Sequence, residues 1–224
     1  MRGENDDSSM QFSLLDFVFP RRSLAGEEGE WVTALERRNI AHAYSIEASY
    51  SLRERGIVHL DLLASAAAYD ASPLLRKAIW SVKYGRVRGA QAVLTDLLDV
   101  VARKRHRTRS RMVLCPVPLH WSRKFSRGFN QSLMLAESAA VKHGLEVREL
   151  LRRTRPTGHQ AHRDRRERLA ALRGVFSLCD DVYIPQHVAL IDDIATTGAT
   201  LDACACALKE AGAQWVEAWV VARG

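Results

Sequence analysis

Two hydrophobic patterns alternate along the chain from about residue 65 onward. Short apolar runs are typical of strands buried on both faces, and they cover 112–117, 188–191 and 215–222. Apolar residues at helical spacing predict helices between them, namely over 73–85, 93–101, 130–144 and 201–211. Ser72 before Pro73 is typical of a helix start, and Gly144 of a helix end.

This alternation predicts an α/β protein with a twisted, mainly parallel sheet flanked by helices on both faces. A ligand site is expected at the carboxyl ends of the strands. Residues 65–224 are assigned to this domain, and residues 1–64 to a partly irregular N-terminal extension. Within the extension, 21–40 shows no clear period, 40–50 is a candidate strand and 52–56 a candidate turn.

Composition and charge narrow the class of protein. No apolar run approaches the roughly 18 residues that a membrane span needs, so we expect a cytoplasmic protein without membrane contact. The net charge of +7 is concentrated in basic runs at 103–111 and 152–173. Such runs favour phosphates, either on a small ligand or on a nucleic acid such as single-stranded DNA. A solvated loop and a charged helix face are the alternative interpretations.

The candidate ligand site follows the apolar run 188–191. Asp192 and Asp193 come next, and a small hydroxylic loop then enters the predicted helix. Backbone N–H groups at a helix N-terminus bind phosphate, which suggests a 5-phosphate site made by Ala195, Thr196, Thr197, Gly198, Ala199 and Thr200. The two carboxylates would repel a phosphate but suit vicinal sugar hydroxyls, directly or through Mg²⁺. Together the two parts describe a site for a ribose 5-phosphate.

The loop has three other interpretations: a P-loop, a Rossmann fingerprint and an ordinary strand-to-helix connection. A P-loop requires a lysine after its second glycine, and no lysine follows Gly198. A Rossmann fingerprint requires several glycines, and the loop contains one. An ordinary strand-to-helix connection with a capping threonine remains an alternative.

Two further segments could contact an anionic ligand. Arg123, Lys124 and Arg127 crowd a turn before a helix predicted to start near Asn130, which makes a second anion site. The polar stretch 154–168 has the length and polarity of an active-site lid, or of a plain surface loop.

Four motifs together resemble the ComF/GntX family of the type I phosphoribosyltransferase superfamily. The motifs are YDxxxxxxIxxxKYG at 69–85, PVPLxxxRxxxRGFNQ at 116–131, TxxQ at 157–160 and DDxxTTGATL at 192–201. The resemblance implies phosphoribosyl pyrophosphate (PRPP) as ligand, with Asp192 and Asp193 on the ribose hydroxyls. Family members usually begin with a zinc-binding module built on paired cysteines, whereas the first cysteine here is Cys115. We therefore expect that module to be missing.

The resemblance also implies roles for individual residues. The pyrophosphate loop would comprise Pro118, Leu119, Arg123, Lys124 and Arg127, and the mobile loop would contribute Thr157, His159, Gln160 and Arg168. Asp192, Asp193 and Arg127 would be the catalytic residues.

The leading hypothesis is a Mg²⁺-dependent phosphoribosyltransferase that releases pyrophosphate. The alternatives are a competence-associated protein of DNA uptake that binds nucleic acid, and a PRPP sensor without catalysis. The sequence specifies neither the acceptor nor the oligomeric state.

Overall fold

The structure is a computed structural model, which describes residues 23, 25–26, 32–40, 43–85, 88–106, 111–119, 129–154, 172 and 174–224. The strands are β1 Ser45–Ala48, β2 Leu62–Ala68, β3 Val113–Pro116, β4 Glu146–Val147, β5 Leu151–Arg153, β6 Phe176–Leu178, β7 His187–Ala195 and β8 Trp215–Arg223. The α-helices are α1 Ala34–Asn39, α2 Ser49–Glu54, α3 Pro73–Trp80, α4 Arg88–Arg105, α5 Gln131–His143 and α6 Ala199–Glu210.

Six of these strands form one twisted sheet in the order β1-β2-β8-β7-β3-β4. The pairs β2–β8, β8–β7, β7–β3 and β3–β4 are parallel, and β1 joins the edge antiparallel to β2. The remaining two, β5 and β6, form a separate antiparallel ribbon. The predicted α/β class with a mainly parallel sheet is confirmed.

The sheet separates two apolar layers. One layer packs beneath α3, α4 and α5 and includes the fully buried Trp219. The other packs beneath α6 and the segment 52–60. Strand β8 alternates between them, since Trp219 and Val221 face the first layer and Val216, Ala218 and Val220 face the second. Burial on both faces explains why β8 has an almost continuous apolar sequence.

A buried ion pair lies in the first layer. Glu217 is fully buried on β8 and accepts hydrogen bonds from Arg105 of α4, Nε to Oε1 at 3.1 Å and Nη2 to Oε2 at 2.7 Å. The indole N–H groups of Trp215 and Trp219 donate to the same carboxylate at 2.8 and 2.6 Å. This carboxylate therefore has four donors and no contact with solvent, which links α4 to the centre of the sheet.

Several predicted helix ends are confirmed. The Ser72 side chain accepts from the Leu74 amide, and Pro73 is the first residue of α3. Asn130 caps α5 by accepting from Ser132 N, and Gly144 ends that helix at φ +64°. Both ends use the expected residues because a side-chain oxygen satisfies a free amide, and glycine adopts a left-handed conformation at little cost.

Other predictions about local structure were wrong. The segment 21–40 contains α1, with a reciprocal capping box between Thr33 and Glu36. The candidate strand 40–50 shortens to Ser45–Ala48, and most of the candidate turn 52–56 belongs to α2.

The helix predicted over 73–85 is confirmed in extent, since α3 ends at Trp80 and continues as one π-helical turn, Ser81–Gly85. None of the helices in the described part of the chain has the length and apolar character that a bilayer span requires.

Candidate functional site

Strand β7 positions the acidic pair at the centre of the sheet. The strand is nine residues long and ends at Ala195, so Asp192 and Asp193 lie within it rather than closing it. The prediction that the strand ends before the pair was wrong because β8 continues to pair with β7 beyond it, with Ile194 opposite Ala222. Strand β3 ends earlier, where Pro116 lies opposite Ile191. The carboxylates therefore lie beside an open edge on the β3 side.

Each carboxylate has a defined partner. Ser132 of α5 donates from Oγ to Asp192 Oδ1 at 2.9 Å, and the Asp193 amide donates to the same oxygen at 2.9 Å. Lys83 Nζ lies 2.8 Å from Asp193 Oδ2. Burial, followed by the charge of Asp193, raises the pKa of Asp192, and the charge of Lys83 acts in the opposite direction. Repulsion between the two carboxylates is thus only partly compensated by Lys83.

The loop after β7 is short and tightly held. Gly198 is the N-cap of α6 and has φ +78°, a left-handed conformation that glycine adopts at little cost. A Cβ atom there would lie 2.5 Å from Ile57 Cδ1, so a larger residue would require the end of the Ile57 side chain to shift. The Thr197 hydroxyl accepts from the Ala199 amide at 3.4 Å. The side chains of Ala195 and Ala199 pack in the second apolar layer, so these two residues can bind a ligand only through their backbone.

A cavity of about 250 Å³ lies at the carboxyl ends of β7 and β3. Its walls are formed by Lys83, Val117, Pro118, Leu119, Gln131, Ser132, Arg153, Asp192, Asp193, Ile194, Thr196 and Thr200. Of the residues predicted from the sequence, the structure brings six together here: both aspartates, Thr196, Thr200, Pro118 and Leu119.

Four polar residues in the wall were not predicted. Lys83 and Gln131 belong to the KYG and RGFNQ motifs, which was the available signal. Ser132 and Arg153 reach the cavity from α5 and from the end of β5. Arg153 belongs to the basic run 152–173, whereas nothing local in the sequence indicates the role of Ser132. Gln131 is 2% exposed, and its Nε2 has no hydrogen-bond acceptor among the described residues. An unpaired buried amide costs free energy, so a ligand acceptor here would be stabilising.

The remaining predicted site residues lie outside the described part of the chain: Arg123, Lys124, Arg127, Thr157, His159, Gln160 and Arg168. Their assignments stay predictions. Along the sequence, β5 comes before the segment 155–171 and β6 after it. Arg153 of β5 pairs with Phe176 of β6.

The sheet and the acidic pair with its threonine loop identify the class of protein. A mainly parallel sheet with helices on both faces, and an acidic pair followed by a threonine loop at its carboxyl edge, is the type I phosphoribosyltransferase-like fold. No family model matches the chain.

Curated relatives define the family. The chain is 31% identical to the DNA utilization protein YhgH of Escherichia coli over 160 residues, 69% of each chain. It is 29% identical to Competence protein F of Haemophilus influenzae over 127 residues, 54% of this chain and 55% of that protein. It is 38% identical to Competence protein ComFC of Streptococcus pneumoniae over 107 residues, 48% of this chain and 46% of that protein. The chain belongs to the ComF family.

Proposed function

We propose that this protein binds PRPP in the cavity at the end of β7 and transfers its phosphoribosyl group to an acceptor with release of pyrophosphate. The observation that carries the proposal is one cavity whose wall combines the Asp192–Asp193 pair with Thr196 and Thr200 of the loop that opens α6. A carboxylate pair accepts hydrogen bonds from a diol, and a helix N-terminus donates them to a phosphate. The carboxylate pair therefore matches the diol of a ribose 5-phosphate, and the helix N-terminus matches its phosphate.

Cationic side chains supply the complementary half of the site. Lys83 and Arg153 line the cavity, and Pro118 and Leu119 lie on the β3 side of it, where the fold resemblance assigns pyrophosphate. The predicted contributions of Arg123, Lys124 and Arg127 extend this half. Negative charge accumulates on pyrophosphate as it leaves, so cations held beside it stabilise the transition state more than the bound ligand.

At this site we expect Mg²⁺ to bind partly through the bound ligand and not only by direct contact with the two carboxylates. Carboxylate oxygens are suitable Mg²⁺ ligands, but Lys83 already lies 2.8 Å from Asp193 and Ser132 already bonds Asp192. We expect Asp192 and Asp193 to hold the ribose hydroxyls and, through them, the ion. When bound, Mg²⁺ would neutralise charge on the leaving group.

The reaction balances without a further reagent. The bond between C1 of the ribose and the pyrophosphate oxygen breaks, and its electron pair leaves with pyrophosphate. A lone pair on the acceptor forms the new bond at C1. The carboxylates of Asp192 and Asp193 would orient the sugar and favour the positive charge that develops on its ring.

Titration calorimetry with PRPP and Mg²⁺ tests the binding step. We expect saturable binding by the native protein and at least tenfold weaker binding by the double variant Asp192→Asn, Asp193→Asn. Each of the two substitutions removes a charged acceptor for the diol. Asp180 and Asp181 form a second adjacent pair on the surface, so Asp180→Asn, Asp181→Asn is the matched control and should bind normally. Equal binding by both double variants would refute the assignment.

Pyrophosphate release tests catalysis separately. Release in the presence of a nucleobase or amine supports a transferase. Saturation by PRPP without release from any acceptor offered supports the non-catalytic sensor instead.

The family membership supports a second, coarser proposal, a competence-associated role. Its relatives carry the names of competence and DNA utilization proteins, and the basic run that starts at Arg103 continues past the end of α4. Arg105 is committed to Glu217. Arg103 pairs with Asp99, but its side chain is 73% exposed, so a phosphate backbone would compete with Asp99 for its guanidinium.

A salt titration distinguishes the two binding modes. Binding of single-stranded DNA through phosphates should weaken steeply with salt and survive Asp192→Asn, Asp193→Asn. DNA binding that is abolished in that variant would place the nucleic acid in the cavity rather than on the basic run.

A further inference from the structure

We propose that Arg55 is a positioning residue that fixes the orientation of the loop after β7. The role deepens the proposed binding of a sugar 5-phosphate and presupposes it. We call Glu47, Arg55, Ile57 and His59 the brace, because all four lie before β2 and contact the loop or hold a residue that does.

Arg55 connects the edge of the sheet to the loop. Its Nη2 donates to the Thr196 carbonyl oxygen at 3.3 Å, and its Nη1 lies 2.6 Å from Glu47 Oε2. Glu47 is 6% exposed on β1 and also pairs with Arg223 Nη2 at 3.0 Å. The guanidinium is therefore held at one end by a buried carboxylate that is itself doubly paired, and the other end binds the loop backbone.

The contact with a carbonyl determines where the next amide points. In a trans peptide the C=O and N–H bonds point in opposite directions, and every described peptide is trans. Holding the Thr196 carbonyl on the Arg55 side therefore directs the Thr197 N–H to the other side. The Ala195 carbonyl accepts from Gly224 N at 2.9 Å, which directs the Thr196 N–H in the same manner. Thr196 lines the cavity and Thr197 follows it, so our proposal places these two amides toward an anion bound there.

A flipped peptide would reverse this chemistry. Rotation of the Thr196–Thr197 peptide would turn a carbonyl oxygen toward a phosphate, replacing a donor by an acceptor that repels it. Such a rotation changes ψ of Thr196 and φ of Thr197. The hydrogen bond from Arg55 to the Thr196 carbonyl opposes it and favours one orientation.

The other two members of the brace hold the start of α6. Ile57 fills the space next to Gly198 that a side chain would otherwise occupy. The backbone N–H of His59 donates to Asp202 Oδ1 at 2.7 Å, and its ring Nδ1 lies 3.2 Å from Asp202 Oδ2. Asp202 lies in the first turn of α6, where a free carboxylate would compete with a ligand anion for the positive helix end. His59 engages both of its oxygens.

The variant Arg55→Met tests the role, with ribose 5-phosphate and pyrophosphate as separate probes. We expect the affinity for ribose 5-phosphate to fall about tenfold, the effect of losing one charge-assisted hydrogen bond that orders the site. Pyrophosphate does not use the loop, so its affinity should change less than about twofold. Arg53→Met is the matched control because Arg53 is an exposed arginine in the last turn of α2, two residues before Arg55. Arg55→Lys keeps the charge beside Glu47 and should be intermediate.

A ligand-free measurement keeps the inference testable on its own. The ¹⁵N heteronuclear NOE values of Thr197 and Gly198 should drop in Arg55→Met and stay unchanged in Arg53→Met. Unchanged values in Arg55→Met, or an unchanged affinity for ribose 5-phosphate, would overturn the inference. An equal loss of affinity for both probes with a lowered melting temperature would also overturn it, since that indicates general destabilisation. If the native protein binds neither ribose 5-phosphate nor PRPP, the proposed function fails. The NOE values still test whether the hydrogen bond from Arg55 orders the loop.

Discussion

Lys83 Nζ and Asp193 Oδ2 lie 2.8 Å apart, and this ion pair joins the π-helical turn after α3 to the carboxyl end of β7. The Asp193 side chain is 8% exposed and that of Lys83 is 23% exposed. A carboxylate this deeply buried requires a compensating charge. Lys83 therefore balances part of the charge of the acidic pair from within the protein.

Replacement of Lys83 by methionine should destabilise the fold. Met is of similar length but leaves Asp193 without its partner, and we expect a loss of about 3 kcal/mol in the free energy of unfolding, the lower end for a broken buried pair. Urea denaturation measures the loss. Lys142→Met is the control, since Lys142 lies 3.5 Å from Asp96 and both side chains are more than 40% exposed. Adding Asp193→Asn to Lys83→Met should restore most of the stability. A double variant no more stable than Lys83→Met would contradict the pairing.

The Gly198→Ala variant should lose stability for two separable reasons. The left-handed conformation costs about 1–2 kcal/mol for a residue with a Cβ, and the new methyl would clash with Ile57 Cδ1 at 2.5 Å. Gly144 provides the control because its φ is +64° and nothing lies within 4 Å of a Cβ built there. Gly144→Ala should show the conformational cost alone. Combining Gly198→Ala with Ile57→Val removes Cδ1 and should recover the steric part; purely additive losses in chemical denaturation would argue against the clash.

Asp99 should make stability depend on pH. Burial alone would raise the pKa of Asp99, but hydrogen bonds from His143 and Arg103 and the charge of Lys142 outweigh it and lower that pKa. The unfolded chain then binds the proton more tightly, so the contribution of Asp99 is present above its unfolded pKa and is lost as the pH falls through its folded pKa.

Comparison with Asp99→Asn checks this sign. The variant should be less stable than the native protein by about 2 kcal/mol near neutral pH, and the difference should shrink as the pH is lowered to about 3. Urea midpoints across this range give the result. Asp96→Asn is the surface control, with a side chain that is 59% exposed. A difference that grows toward acid would reverse the assigned direction.

Glu217→Gln should be among the most damaging single substitutions on β8. It removes the charged partner that Glu217 provides to the guanidinium of Arg105, whose side chain is 10% exposed, at an expected cost of about 3–5 kcal/mol. Glu146→Gln breaks the exposed pair with Arg148 and should cost less than about 1 kcal/mol. Similar melting temperatures for the two variants would show that burial does not strengthen the dependence on the Arg105–Glu217 pair.

The sequence predicted the local part of the candidate site, and the family resemblance added Pro118 and Leu119, but Lys83, Gln131 and Ser132 were missed. Asp192, Asp193, Thr196 and Thr200 are close along the chain, so a strand followed by a helix suffices to bring them together. Lys83 and Arg153 reach the same cavity from other elements. Their placement depends on strand order, and hydrophobic period does not determine which strands become neighbours.

The buried ion pair and helix α1 were not predicted, for different reasons. Glu217 interrupts an apolar run without any local sign of its partner, which is 112 residues away. The sequence did contain the signal for α1, because Thr33 and Glu36 have the spacing of a capping box. That helix was missed because its stretch has few apolar residues and therefore no period.

The position of Gly224 has a practical consequence. Its amide bonds Ala195, and a Cβ there would lie 3.7 Å from the Thr196 methyl group. Any affinity tag or fluorescent fusion attached at this residue would therefore begin beside Thr196, which lines the cavity. Ligand assays are better run with purification handles placed elsewhere.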